Sequence, residues 1–307
     1  MTSASAYGKL LIVGSVNVDM ILGVLDALPR RGTEVMMERG ETRIGGNAAN
    51  TALALRALGG SFQLVANIGS DLFGDWVAST FPEDSPRWPR AAHATTLTVG
   101  LTHSDGERTF LTSPGHLIDL TLADLLGQLP DRAGRGDVAL LCSPFLSPAV
   151  MADFDLLIGE LRRRGYGVAL DTGWPPDGWS PALRSRVANW LRSVDHGLIN
   201  EIEALEVTGC DDGERALSAL CDLAAPGATM VIKRGPQGAI AGRDGAVAAV
   251  AAPQVDVIDT IGAGDIFNAG YLLSAMRGGD LAASLRRGVE AASCAISTLP
   301  RRYGEAS

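Results

Sequence analysis

Residues 138–171, VALLCSPFLSPAVMADFDLLIGELRRRGYGVALD, place two short apolar runs, VALLCS and GVALD, on either side of a helical pattern that Gly165 closes. Apolar runs this short, without polar alternation, predict strands buried on both faces. The rhythm extends in both directions. KLLIVG from Lys9, HGLIN from His196 and TMVIK from Thr229 predict further strands, while NAANTALALRAL, closed by Gly59, and GERALSALCDLAA, closed by Pro226 and Gly227, predict helices. Strand alternating with helix predicts an α/β fold, Rossmann-like, with a mostly parallel central sheet and helices on both faces. Two segments break the rhythm, Glu34 to Arg43 and Thr95 to Thr112, the second with β-branched strands about an Asp105–Gly106 turn. They predict a small antiparallel flap. With no linker or low-complexity tract, residues 1–307 are expected to form a single domain, with a β-sheet lid from segments about 20–44 and 93–114.

The formal net charge of −9 lacks the basic footprint that a nucleic-acid backbone requires, so nucleic acid is not an expected partner. No apolar run approaches the roughly 18 residues of a membrane span, and MTSASAYGK has neither a basic start nor an apolar stretch. No membrane association and a cytoplasmic location are therefore expected. Cys142, Cys210, Cys221 and Cys294 are far apart and show no zinc or redox spacing. A GxxxxGK[ST] phosphate loop is absent.

In an open parallel sheet, ligands bind outside the carboxyl ends of the strands. Polar residues gather there: Asn17 and Asp19 follow the first strand, and Asp171, Asn200 and Lys233 end later ones. DTIGAGDIFNAG, Asp259 to Gly270, is a glycine-flanked turn that runs into an apolar helix. Free backbone N–H groups at Gly262, Ala263 and Gly264 would form an anion site at a helix start. Asp265 in the first turn could take the proton of an attacking hydroxyl, and the helix dipole is expected to keep its carboxylate ionised. The alternative is a helix cap.

In GGNAAN, Gly45 and Gly46 allow close approach of a ligand, and Asn47 and Asn50 share one helix face, suited to vicinal hydroxyls. A turn with Asn47 as N-cap is the alternative. Asp19 adds a carboxylate for two hydroxyls. Asn200 and Glu203 of NEIE offer hard oxygen ligands that could order water around a Mg²⁺ carried by ATP, or else cap a helix. KRGPQG, Lys233 to Gly238, is a glycine-rich turn after a strand.

Taken in order, GSVNVD, GGNAAN, NEIE, KRGPQG and DTIGAGD resemble the ribokinase-like (PfkB) carbohydrate kinase family over roughly residues 9–298. The resemblance implies an α/β core with a β-sheet lid, ATP and Mg²⁺ as cosubstrates, and phosphoryl transfer to a hydroxyl of a pentose- or ketohexose-class sugar. By position, Asp265 matches the family's base and Gly262, Ala263 and Gly264 its anion hole. Asn17, Asp19, Gly45, Gly46, Asn47 and Asn50 match sugar-binding positions, and Arg108 on the lid is a further candidate substrate contact. Asn200 and Glu203 match the pair that organises Mg²⁺, while Lys233, Gly235 and Gly238 match the nucleotide-binding turn. Asp259 and the backbone of Ile261 match part of a monovalent-cation site, with K⁺ as the cation, and the outer face of the lid is a candidate homodimer contact. The chain departs from the pattern at Ile261 and Ile266, which replace hydroxyl residues, in STLPRRYGEAS, which lacks the small-residue loop of the cation site, and in ALLCSPF, which lacks a ribose-contacting glutamate. A nucleoside kinase of the same family and a catalytically silent sugar-binding relative are the alternative functions.

Overall fold

The computed structural model describes residues 7–25, 27–104 and 108–304; the expected Asp105–Gly106 turn lies outside the described residues. The twelve strands among them are β1 (Leu10–Val13), β2 (Asn17–Val24), β3 (Gly40–Gly45), β4 (Phe62–Val65), β5 (Leu97–Thr102), β6 (Arg108–Thr112), β7 (Val138–Cys142), β8 (Gly167–Asp171), β9 (His196–Asn200), β10 (Thr229–Lys233), β11 (Ala239–Arg243) and β12 (Ala246–Val250). The helices are α1 (Asn47–Ala57), α2 (Leu72–Thr80), α3 (Leu122–Leu126), α4 (Pro148–Ala152), α5 (Phe154–Arg163), α6 (Pro181–Arg192), α7 (Glu201–Thr208), α8 (Gly213–Leu223), α9 (Ala263–Met276) and α10 (Leu281–Ile296).

The main sheet has eight strands in the order β12-β11-β10-β9-β8-β7-β1-β4. From β4 to β10 every pairing is parallel, and β11 and β12 add an antiparallel edge. All five strands expected from apolar runs are present. Their two-sided burial follows from alternation along each strand. Leu10 and Ile12 join a core with Leu55 of α1, Leu272 of α9 and Val289 of α10, whereas Leu11 and Val13 join one with Leu157 of α5, Trp190 of α6 and Leu220 of α8. Each fully buried aliphatic side chain contributes about 1.5–3 kcal/mol relative to exposure, so both helical layers are tied to the sheet. Strand β1 pairs with β4 on one side and β7 on the other, so the chain order reverses there and opens a crevice at the carboxyl ends of the strands.

A second sheet of four strands has the order β3-β2-β5-β6. The fully antiparallel flap expected from sequence is corrected: β2–β3 and β5–β6 are antiparallel, but the central β2–β5 pair is parallel. The whole β3-α1-β4-α2 excursion separates β2 from β5, and a crossover of that length permits the parallel return that a short hairpin would not. Residues 34–39, expected in the flap, lie outside its strands. The single helix expected over PAVMADFDLLIGELRRR is also corrected. It divides at Asp153 (φ −101°, ψ 14°) into α4 and α5.

Candidate active site

Helix α9 begins at Ala263 after Gly262, whose φ of +79° is a left-handed conformation that a side chain would strain. Asp265 lies in the first turn. Helix α1 packs beside it and supplies Asn50, whose Nδ2 donates to Asp265 Oδ2 at 2.9 Å, and Thr51, whose hydroxyl donates to the Asp265 carbonyl at 3.2 Å. The first N–H groups of any helix lack partners within it. Here Ala263 N–H is taken by the Thr260 carbonyl at 3.1 Å, which differs from the expectation of a free donor and leaves Gly264 and Asp265 as the open positions of the turn. Ile266 is buried in the core, so its departure from the motif falls on packing rather than on the backbone of the turn.

The expectation that the helix dipole would hold Asp265 low is overturned. Burial and the nearby Asp171 carboxylate push its pKa up to about 7, against the opposing pull of Asn50 and Lys233. A dipole effect of about 0.3–1 kcal/mol is smaller than the desolvation of a carboxylate largely withdrawn from water. Asp265 keeps partial access to the crevice.

Lys233, at the end of β10, bonds Asp171 Oδ2 of β8 at 2.7 Å and lies 3.4 Å from the Oδ1 of Asn268 on α9. Asn268 Nδ2 donates to the same Asp171 oxygen. A Cβ added to Gly264 would sit 3.4 Å from Lys233 Nζ, which places the ammonium against the start of α9. Burial opposes its charge, but Asp171 and Glu203 outweigh burial and raise its pKa. At the end of β9, Asn200 and Glu203 form a reciprocal cap on α7, with Glu203 N–H donating to Asn200 Oδ1 at 2.8 Å and Asn200 Nδ2 donating to Glu203 Oε1 at 2.6 Å. Thr172 Oγ1 also donates to Glu203 at 2.8 Å. Burial and Asp171 raise the pKa of Glu203 to about 7. Beyond Lys233, Gly235 (φ +52°) and Gly238 (φ +87°) bracket a short turn closed by Arg234 N–H to the Gly238 carbonyl at 2.8 Å.

The second sheet supplies the other wall. Asn17 Nδ2 donates to Asp19 Oδ1 at 2.7 Å, and Asn17 and Asp19 pair in register with Gly45 and Arg43 of β3. A Cβ on Gly45 would lie 2.1 Å from Asp19 Cγ, so the carboxylate occupies space that only glycine leaves free. Burial lifts Asp19 to about 6, with Arg43 and Asn17 holding it back. Gly46, not Asn47, is the N-cap residue of α1, which corrects the alternative reading of that motif. Asn47 turns its Oδ1 to the backbone N–H and hydroxyl of Ser15 at 3.0 and 2.9 Å. Arg108, on β6, reaches the Thr260 carbonyl at 3.0 Å. Asp259 accepts from Arg43 and Arg301 at one oxygen and from Ile261 N–H, at 2.9 Å, at the other.

The structure therefore gathers Asp265, Asn50 and Lys233, with Glu203, bonded by Asn200 and Thr172, within electrostatic reach of Asp171, while Asn17, Asp19 and Gly45 line the second sheet. Sequence reasoning did not single out Asp171 as the hub, nor Asn268, Arg43 and Arg301. Asn268 follows Asp265 by three residues on a helix, a spacing that shares a face and could have flagged it. Arg43 and Arg301 lie 258 residues apart by number, counted from residue 43 to residue 301, and no local pattern joins them.

Comparison with known proteins identifies the family and the fold. The model of the pfkB family of carbohydrate kinases matches residues 8–300. A fructokinase of Klebsiella pneumoniae is 30% identical over 278 residues, covering 86% of this chain and 83% of that protein. Among solved structures, Arabidopsis thaliana ribokinase complexed with ribose and ATP superposes with a TM-score of 0.73 at 23% identity, covering 95% of this chain and 93% of that one. Adenosine kinase from Sinorhizobium meliloti gives 0.79 at 21% identity, covering 98% and 97%.

Proposed function

Because the chain belongs to the pfkB family of carbohydrate kinases, which are ATP-dependent phosphotransferases, we propose that Asp265 takes the proton of a sugar hydroxyl as that oxygen receives the γ-phosphoryl group of ATP. The observation that carries this reading is the Asp265 carboxylate at the start of α9, fixed by Asn50 at 2.9 Å and with a pKa of about 7. A base of that pKa is half ionised at neutral pH and still takes a proton readily. A loose phosphoryl transition state needs positioning and charge stabilisation more than strong basicity. The open N–H groups of Gly264 and Asp265 lie at the same start of the helix and supply that stabilisation with Lys233.

The acceptor belongs against the second sheet. Asp19, oriented by Asn17, accepts from two hydroxyls, and Asn50 adds an amide beside the base. The second sheet acts as a lid that limits water at the reacting phosphate, with Arg108 reaching across to Thr260. Lys233, Gly235 and Gly238 form the nucleotide side. In that region Asp171, Glu203 and Asp265 set three carboxylates against one ammonium, a surplus of negative charge that suits a divalent cation. Asn200 and Glu203 would hold Mg²⁺ through water, and the ion would neutralise phosphate charge. Asp259 does not fit a monovalent cation in the same way, since one of its carboxylate oxygens already accepts from two guanidinium groups.

An ATP-consumption assay over pentoses, ketohexoses and nucleosides tests the acceptor class. Turnover with a pentose or ketohexose is expected. Turnover with nucleosides alone, or with none of the panel, would contradict the reading.

A further inference from the structure

Three arginines from distant parts of the chain converge on two consecutive residues, Asp259 and Thr260, just before the turn that starts α9. Arg43 comes from β3 of the second sheet, Arg108 from β6 of the same sheet, and Arg301 from the segment after α10. The side chains of Arg43 and Arg301 are only 17% and 14% exposed, and both donate to Asp259 Oδ2. The other oxygen of Asp259 holds Ile261 N–H at 2.9 Å, one residue before Gly262. Burial works against the Asp259 charge, but Arg43, the Ile261 N–H and Arg301 outweigh it and hold the carboxyl below the usual range. Two fixed positive charges thus sit on a carboxylate that, by its place in the motif, would be a ligand for a monovalent cation. An added K⁺ would have to displace a guanidinium or lie against both.

We propose that Arg301, with Arg43, acts as a built-in cation: the guanidinium groups hold Asp259 and, through it, the turn leading into Gly262–Gly264, so that turnover needs no bound monovalent ion. The guanidinium is charged at any working pH and its planar fork binds carboxylate with fixed geometry, which a freely exchanging ion does not. Arg301 is a positioning residue, since it touches Asp259 and acts on the turn only through it. The proposal rests on the reading of that turn as the anion site, and its tests separate the two.

The wild-type protein should turn over equally, within about twofold, in potassium and in tetramethylammonium chloride at matched ionic strength. Arg301→Met keeps the apolar stem and removes the charge. Its kcat should fall about 10- to 100-fold, as displacement of a reacting geometry from a distance does, with both KM values little changed. Millimolar guanidinium or K⁺ should then restore kcat and raise the variant's melting temperature without raising that of the wild type, and Arg301→Lys should retain most activity. Severalfold stimulation of the wild type by K⁺ would overturn the proposal, as would an unchanged kcat in Arg301→Met or a loss that neither ion rescues. Melting shifts require no acceptor, so they report on the cation replacement even if the acceptor class is assigned wrongly. If Arg301→Met does not fold, the wild-type salt comparison and Arg301→Lys still decide it.

Discussion

Gly45 lacks a side chain where the Asp19 carboxylate fills the space of a Cβ, and that one close approach links the GGNAAN motif to the second-sheet wall of the crevice. Asp19 is almost fully buried, and its remaining freedom is taken up by Asn17 on its own strand. On the proposed reading it binds acceptor hydroxyls and makes no contact with the nucleotide. Asp19→Ala should therefore weaken acceptor binding by about 1.5–3 kcal/mol per lost charge-assisted bond and leave ATP affinity nearly unchanged. Calorimetry with each ligand alone checks this, and an unchanged acceptor affinity would remove Asp19 from the site. Residues inside glycine-flanked motifs, such as Asp265 and Asn50, were legible because unusual backbone and polar side chains coincide in one short stretch, and Asp19 was legible as a carboxylate just past a buried strand. Asp171 was legible only as a polar strand end and not as the centre of a network, and Arg43 and Arg301 were not legible at all, because each makes its decisive contact with residues far along the chain.

At the scale of elements, the start of α9 sets a carboxylate into a place where burial outweighs the helix dipole. The pKa of Asp265 is about 7 in the folded protein against an ordinary value of 3.8. The folded state therefore holds the proton more tightly than the unfolded chain. Its stabilising contribution is complete below pH about 4 and is lost as pH rises through about 7, a difference of about 4 kcal/mol for a shift of roughly three units. Asp19 and Glu203 shift in the same direction, so the wild-type slope alone would not isolate Asp265. Asp265→Asn removes its titration while leaving the Asp19 and Glu203 carboxyls in place. The melting temperature of the variant relative to wild type should rise between pH 4.5 and pH 8, and a pH-independent difference would contradict the assigned shift. Other elements show why sequence reading reached only so far. Buried strands such as β7 and β8 were plain because apolar runs bounded by turns have few other solutions. The break at Asp153 was hidden, since neither glycine nor proline marks it. The parallel β2–β5 pairing was hidden too, because strand direction across so long an excursion is a tertiary property.

Across the whole molecule, two sheets meet at one crevice. The carboxyl ends of β8, β9 and β10 bring Asp171, Asn200 and Lys233 to one side, and β2 and β3 bring Asp19 and Arg43 to the other. Helix α9 starts between them, and its Asp265 lies close enough to Asp171, Lys233 and Asp19 for all three to influence its charge. The α/β class followed from sequence alone, since strand and helix alternate, but the facing of the two sheets depends on contacts that no single stretch encodes. The proposed reaction places a single proton transfer at that meeting point. Asp265→Asn keeps the size and shape of the side chain and the bonding at the start of α9, yet cannot take a hydroxyl proton. The decisive measurement is kcat of Asp265→Asn with a confirmed acceptor, alongside ATP affinity and melting temperature. The account predicts a loss of about 10²–10⁴-fold or more with ATP affinity unchanged and melting temperature undiminished; a near-normal kcat would contradict it.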